Sequence, residues 1–182
     1  MELIDMELAG VLEQTVPLDT KATGKPELNY TLEVAVAYQE RRTREWAERV
    51  CVQMGYLVGE ECVRSSWWPL PHLSDPHVFA DAVQAASAAD IIVVSAPATK
   101  ELSEDLWTWI TAWLPRRRQS TGALMALLGV SEPPLRGTSR TREYLQAVAH
   151  KGGLDFLPHE QELPAQSLVQ EIGPDRWWGI NE

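Results

Sequence analysis

The run Ile91-Ile92-Val93-Val94-Ser95, entered from Asp90, is apolar on both of its alternating faces. A strand built that way needs cover on both sides, as a parallel sheet sandwiched between helices provides. The flanking sequence switches between strand and helix periods in the same spirit. Leu32–Tyr38 reads as a first strand, and residues 41–54 read as a helix with Trp46, Ala47, Val50, Cys51 and Met54 on one face and Gly55 at its C-terminal cap. Residues 61–68 form a second, weaker strand. Asp75-Pro76 supplies an N-cap and a first-turn proline for a helix reaching about Ala89. Ser103-Glu104-Asp105 caps a third helix with Leu106, Trp109, Ile110 and Trp113 on one stripe, stopped by Pro115. Residues 123–128 are a fourth buried strand. Thr138 or Ser139 opens a helix bearing Tyr144, Leu145 and Val148 and closed by Gly152-Gly153, before a fifth strand at 154–157. Five strands separated by four helices predict a three-layer α/β fold, a doubly wound parallel sheet in the order 2-1-3-4-5.

Charge divides the 182-residue chain. Residues 1–30 carry six acids against two lysines, and 160–182 carry five acids against Arg176, so the flanks hold most of the formal net charge of −10. The expected organisation is an N-terminal tail or linker at 1–30, an α/β domain at 31–159 and an acidic, Trp-containing C-terminal tail at 160–182. Such acidity disfavours nucleic acid and anionic membranes as partners. The first residues show no basic or apolar export pattern, and Cys51 and Cys62 are the only cysteines, so a cytoplasmic setting is expected.

The segment from Ala89 through Asp90, Ser95 and Pro97, followed by Glu101-Leu102-Ser103-Glu104-Asp105-Leu106-Trp107, resembles the third strand, loop and helix of flavodoxins and flavin reductases. Residues 137–158 are placed like that family's last helix and strand. The resemblance implies a flavodoxin-like fold and a flavin mononucleotide (FMN) site at the strand ends. A phosphate cradle there needs Ser, Thr and Gly so that backbone amides approach the anion. The corresponding loop reads Tyr38-Gln39-Glu40-Arg41-Arg42-Thr43-Arg44, with one hydroxyl, no glycine and an opposing carboxylate. Receiver domains share this architecture but need an acidic pair after strand one and an aspartate ending strand three, where this chain has Gln39-Glu40 and Ser95.

No catalytic set assembles from the remaining residues. His72, Asp75 and His77 lack a metal-motif spacing, and Asp75 suits an N-cap, so no metal is expected. Ser95 has no nucleophile-elbow glycines around it. His150 and His159 have no acidic partners at a motif spacing. A small ligand, if bound, is expected beyond the carboxyl ends of strands one, three and four, among Gln39, Arg41, Arg42, Thr43, Ser95, Thr99, Lys100 and Ser131. The eight tryptophans are the unusual feature. Consecutive residues on a strand face opposite sides, so one of Trp67-Trp68 and one of Trp177-Trp178 should meet a loop, a tail or a partner. Trp67, Trp68, Trp107, Leu114, Trp177 and Trp178 therefore form the expected protein-interaction surface. The reading is a non-catalytic binding or regulatory module, without a cofactor, that engages a protein partner or a second copy. The alternative is an FMN-dependent reductase or electron-transfer protein with an atypical phosphate loop.

Overall fold

The computed structural model describes residues 30–98, 101–119, 121–130 and 139–162. Its strands are β1 (Leu32–Tyr38), β2 (Val63–Pro69), β3 (Ile91–Pro97), β4 (Ala123–Val130) and β5 (Asp155–Glu162). They make one sheet in the order β2-β1-β3-β4-β5, every neighbouring pair parallel. The connecting helices are α1 (Arg41–Val58), α2 (Pro76–Ala88), α3 (Glu104–Trp113) and α4 (Arg140–Gly152). This is the flavodoxin-like α/β arrangement that the apolar runs predict. None of the described helices is long and apolar enough to cross a membrane.

The central strand shows why both its faces are apolar. Ile92 and Val94 are fully buried against a cluster supplied by α2, α3 and α4, including Ala82, Leu106, Ile110 and Leu145. Val93 turns the other way, into a smaller cluster with Val36, Met125, Leu127 and the α1 residues Trp46 and Ala47. Each large side chain so buried stabilises the fold by roughly 1.5–3 kcal/mol before entropy is counted. Trp109 and Trp113 pack edge to face with ring centroids 5.9 Å apart. Both are fully buried and neither indole N–H finds an acceptor among the described residues, so they serve the core as bulk.

Three sequence expectations about boundaries are corrected. Helix α1 does not stop at Gly55; it continues to Val58, and Gly59 takes the cap with φ 106° and donates its N–H to the Gly55 carbonyl at 2.8 Å. Gly55 is helical and buried, and Gly59 closes the helix in a positive-φ conformation that glycine adopts without strain. The second strand starts at Val63 rather than 61, because residues 60–62 form a 3₁₀ turn. Strand β5 passes through Pro158 to Glu162. Proline is tolerated because β5 is an edge strand, with one side that has no ladder bonds to lose. The start of α2 is as the sequence has it: the Asp75 carboxylate accepts from the His77 and Val78 amides at 2.8 and 3.3 Å, and Pro76 opens the helix, whereas Ser103 precedes α3 without a side-chain cap bond.

At the amino ends of the strands one junction ties the layers together. The Asp90 amide donates to the Glu33 carbonyl at 2.8 Å, and its carbonyl accepts from Ala123 at 3.0 Å. Its carboxylate accepts from the Glu33 amide at 2.9 Å and from the Tyr30 hydroxyl. Beside it, the Arg117 guanidinium donates to the Ala89 carbonyl at 2.7 Å and the Thr121 carbonyl at 2.8 Å. Gly122 sits in the middle with φ 134°, where a Cβ would lie 2.5 Å from both the Asp90 carbonyl oxygen and an Arg117 nitrogen. Gly122→Ala is therefore expected to destabilise the protein by roughly 2–4 kcal/mol, from backbone strain plus displacement of Arg117. A shift of the urea midpoint with an unchanged slope would show it; a change under about 0.5 kcal/mol would refute the account.

Candidate functional site

Beyond the carboxyl ends of β1 and β3 the connections diverge to opposite faces of the sheet, and a crevice opens there. It encloses a cavity of about 560 Å³ lined by Gln39 after β1, Ala96 and Pro97 at the end of β3, Leu102 and Ser103 before α3, and Thr141 in the first turn of α4. Glu101 supplies the lining's one charged side chain among the described residues. Helices α1, α3 and α4 all begin at this end of the sheet, so their positive termini converge on it. Each is already answered by acid: Glu40 at the α1 cap, Glu104 and Asp105 in the first turn of α3, and Glu143 in that of α4.

The ligand residues expected from sequence fall into three groups. Gln39 borders the cavity, with its amide donating to the Ser95 carbonyl at 3.1 Å. Thr43 and Ser95 are completely buried. The Thr43 hydroxyl donates to the Glu40 carbonyl at 2.8 Å and accepts from the Glu40 amide at 3.0 Å, closing the first turn of α1 on itself. The Ser95 hydroxyl donates to the Thr43 carbonyl at 2.7 Å, bolting β3 to α1. Arg41 points into solvent and pairs with Glu45 at 2.9 Å, while Arg42 lies 3.7 Å from Glu40. Neither arginine is part of the cavity lining. Thr99, Lys100 and Ser131 lie outside the described residues. Thr141, Leu102 and Ser103 border the cavity but were not singled out by sequence; their position at helix starts facing the strand ends is the signal that finds them.

These residues do not fit a flavin phosphate. The Thr43 and Ser95 hydroxyls are engaged by backbone, the nearby helix termini carry carboxylates, and no cation faces the cavity among the described residues.

The expected interface residues separate as well. Trp67 and Trp68 are half-buried on opposite faces of the edge strand β2, Trp67 against the α1 cluster and Trp68 against the α2–α4 cluster. Their indole N–H groups donate to Ser65 and Ser66 at 3.0 and 3.1 Å. Trp67 also packs on Tyr38, whose ring carries the Arg44 guanidinium 5.8 Å from its centroid. Trp107 and Leu114 come together in a different place, lining an open groove of about 490 Å³ between α3 and α4 with Ile110, Tyr144, Val148 and Lys151. Trp107 is half exposed. Trp177 and Trp178 lie outside the described residues.

Cys51 lies on the inner side of α1 and is a poor nucleophile at neutral pH. Burial, with a smaller contribution from Glu48, pushes the Cys51 thiol up to about 11. His72 and His77 are exposed, and Asp75 between them is spent on the α2 cap.

No protein-family model and no curated protein sequence matches the chain. Among solved structures it is similar to the Trp repressor binding protein from Bacillus subtilis, at 15% identity over 72% of this chain and 86% of that one, with a TM-score of 0.45. A likeness at that identity concerns fold and carries nothing about activity.

Two outcomes follow from these placements. Ser95→Ala should cost about 1 kcal/mol of stability, read by chemical denaturation, because a buried hydrogen bond between β3 and α1 is lost. In a Cys62→Ser background, Cys51 should react with iodoacetamide ever faster up to about pH 11, with no plateau near 9. The folded chain holds that proton above the ordinary thiol value of 9.0, so stability should fall as pH rises from 9.0 toward about 11.

Proposed function

We propose that the protein is a non-catalytic, flavodoxin-like binding module that engages a partner polypeptide through the aromatic groove between α3 and α4. The observation that carries this reading is the contrast between the two concave surfaces. At the crevice by the strand ends the Thr43 and Ser95 hydroxyls are spent on backbone carbonyls, and the helix starts carry acidic side chains of their own. The groove presents Trp107, Leu114 and Tyr144 with no described element over them. Tryptophan and tyrosine give large contact area for little lost side-chain freedom, which suits them to anchor an interface. Trp67 and Trp68 contribute less to such a surface, since both are half-buried in the sheet edge with their N–H groups already bonded. The FMN-dependent alternative draws its support from the cavity's size and its place at the topological switch point.

Two measurements separate the readings. The purified protein should show no flavin absorbance, and titration with FMN should leave both flavin and tryptophan fluorescence unchanged; saturable quenching would favour the reductase or carrier. A random-peptide library selected against the protein should enrich aromatic sequences, and Trp107→Ala should weaken the selected peptide roughly tenfold or more. Selected peptides indifferent to Trp107 would refute the groove as the interaction surface.

A further inference from the structure

The groove between α3 and α4 is closed at one end and open at the other. At the amino ends of the strands Leu114 closes on Gly152, where a Cβ would lie 3.1 Å from a Leu114 methyl. From there to Trp107 the groove runs seven helical residues, about 10 Å, toward the carboxyl ends of the strands. Its closed end is basic. Lys151 lines it, and Arg116 and Arg118 follow α3 as exposed side chains, whereas Arg117 is committed to the Ala89 and Thr121 carbonyls.

Strand β5 ends at Glu162, at the same carboxyl end of the sheet where α3 and α4 begin. The residues that follow contain Glu171, Asp175, Trp177 and Trp178. The fourteen residues 163–176 between β5 and the paired tryptophans span up to about 46 Å when extended, several times the length of the groove. We propose that residues 163–182 occupy the α3–α4 groove of their own chain, with the Trp177-Trp178 pair against Trp107 and Tyr144, and Glu171 and Asp175 toward Lys151, Arg116 and Arg118. The inference rests on the groove being the interaction surface and names its resident occupant, which a partner polypeptide must displace. Reach, paired aromatics and opposite charge all favour the chain's own segment. An intramolecular occupant also enjoys an effective concentration that a free peptide lacks.

Hydrogen exchange on the full chain tests it. In the parent protein, amides of residues 171–180 should exchange more slowly than in an unstructured peptide. Trp177→Ala/Trp178→Ala should speed exchange in α3 and the second half of α4 by roughly tenfold or more, the loss expected when large apolar side chains leave their seat. Exchange in β1 and β3 should stay as it was, which serves as the folding control. Trp107→Ala should in turn release 171–180, and Lys151→Glu, a surface change, should do so partially. The peptide selected by library should bind the Trp177→Ala/Trp178→Ala protein more tightly than the parent. Exchange of 171–180 at unstructured rates in the parent overturns the proposal while leaving the groove reading intact. Protection that vanishes on dilution overturns it in favour of a second copy. Protection of 171–180 that survives both Trp107→Ala and Lys151→Glu places the segment elsewhere and also overturns it.

Discussion

The fold depends on one polar junction in an otherwise apolar body. Asp90 binds Glu33 through both its amide and its carboxylate, Tyr30 through the carboxylate and Ala123 through its carbonyl, joining the end of α2 to β1, β3 and β4. Arg117 completes it by taking the last carbonyl of the α2 region and that of Thr121, which precedes β4. Hydrophobic burial brings helices to a sheet but does not choose which residue lies opposite which. The junction makes that choice, because a one-residue slip of β3 would separate Asp90 from Glu33 and Ala123 together. Gly122 is the residue that leaves room for the Asp90 carbonyl and the Arg117 guanidinium side by side.

The opposite end of the sheet is organised by the same economy of polar groups, with a different consequence. There the Ser95 hydroxyl links β3 to the Thr43 carbonyl of α1, both residues being out of solvent. Positive helix termini gathered at strand ends are what make this region of such folds receptive to anions. Here Glu40, Glu104, Asp105 and Glu143 meet that field with side chains of the same helices. Among the described residues the crevice is thus faced by helix starts that already carry negative charge, while the apolar groove lies on a flank between α3 and α4.

Much of the architecture was legible because it is written in period and contrast. The two-faced apolar runs of β3 and β4, the Asp75-Pro76 start and the stripe of α3 each appear in the structure where the sequence puts them. What escaped has local or long-range causes. A glycine within α1 and a glycine after it look alike in sequence, and only the cap at Gly59 carries a positive φ. Pro158 reads as a stop unless β5 is known to be an edge. Ser95 and Thr43 look like ligands because nothing in sequence shows that a carbonyl 52 residues away has claimed the serine. Trp67 and Trp68 were rightly expected to face apart, but the serines two residues before each already satisfy them.

The proline in β5 has a further effect. Opposite Ala126 it removes a donor from the outermost strand, and the acidic Glu160 and Glu162 follow within four residues. A strand so interrupted and so charged is a poor template for another strand. At the other margin, Pro69 ends β2 just after the two half-buried indoles. Both margins of the sheet, as far as the described residues go, thus carry a proline that discourages strand addition. Contacts made on the helical layers would leave untouched the backbone ladder that defines the fold.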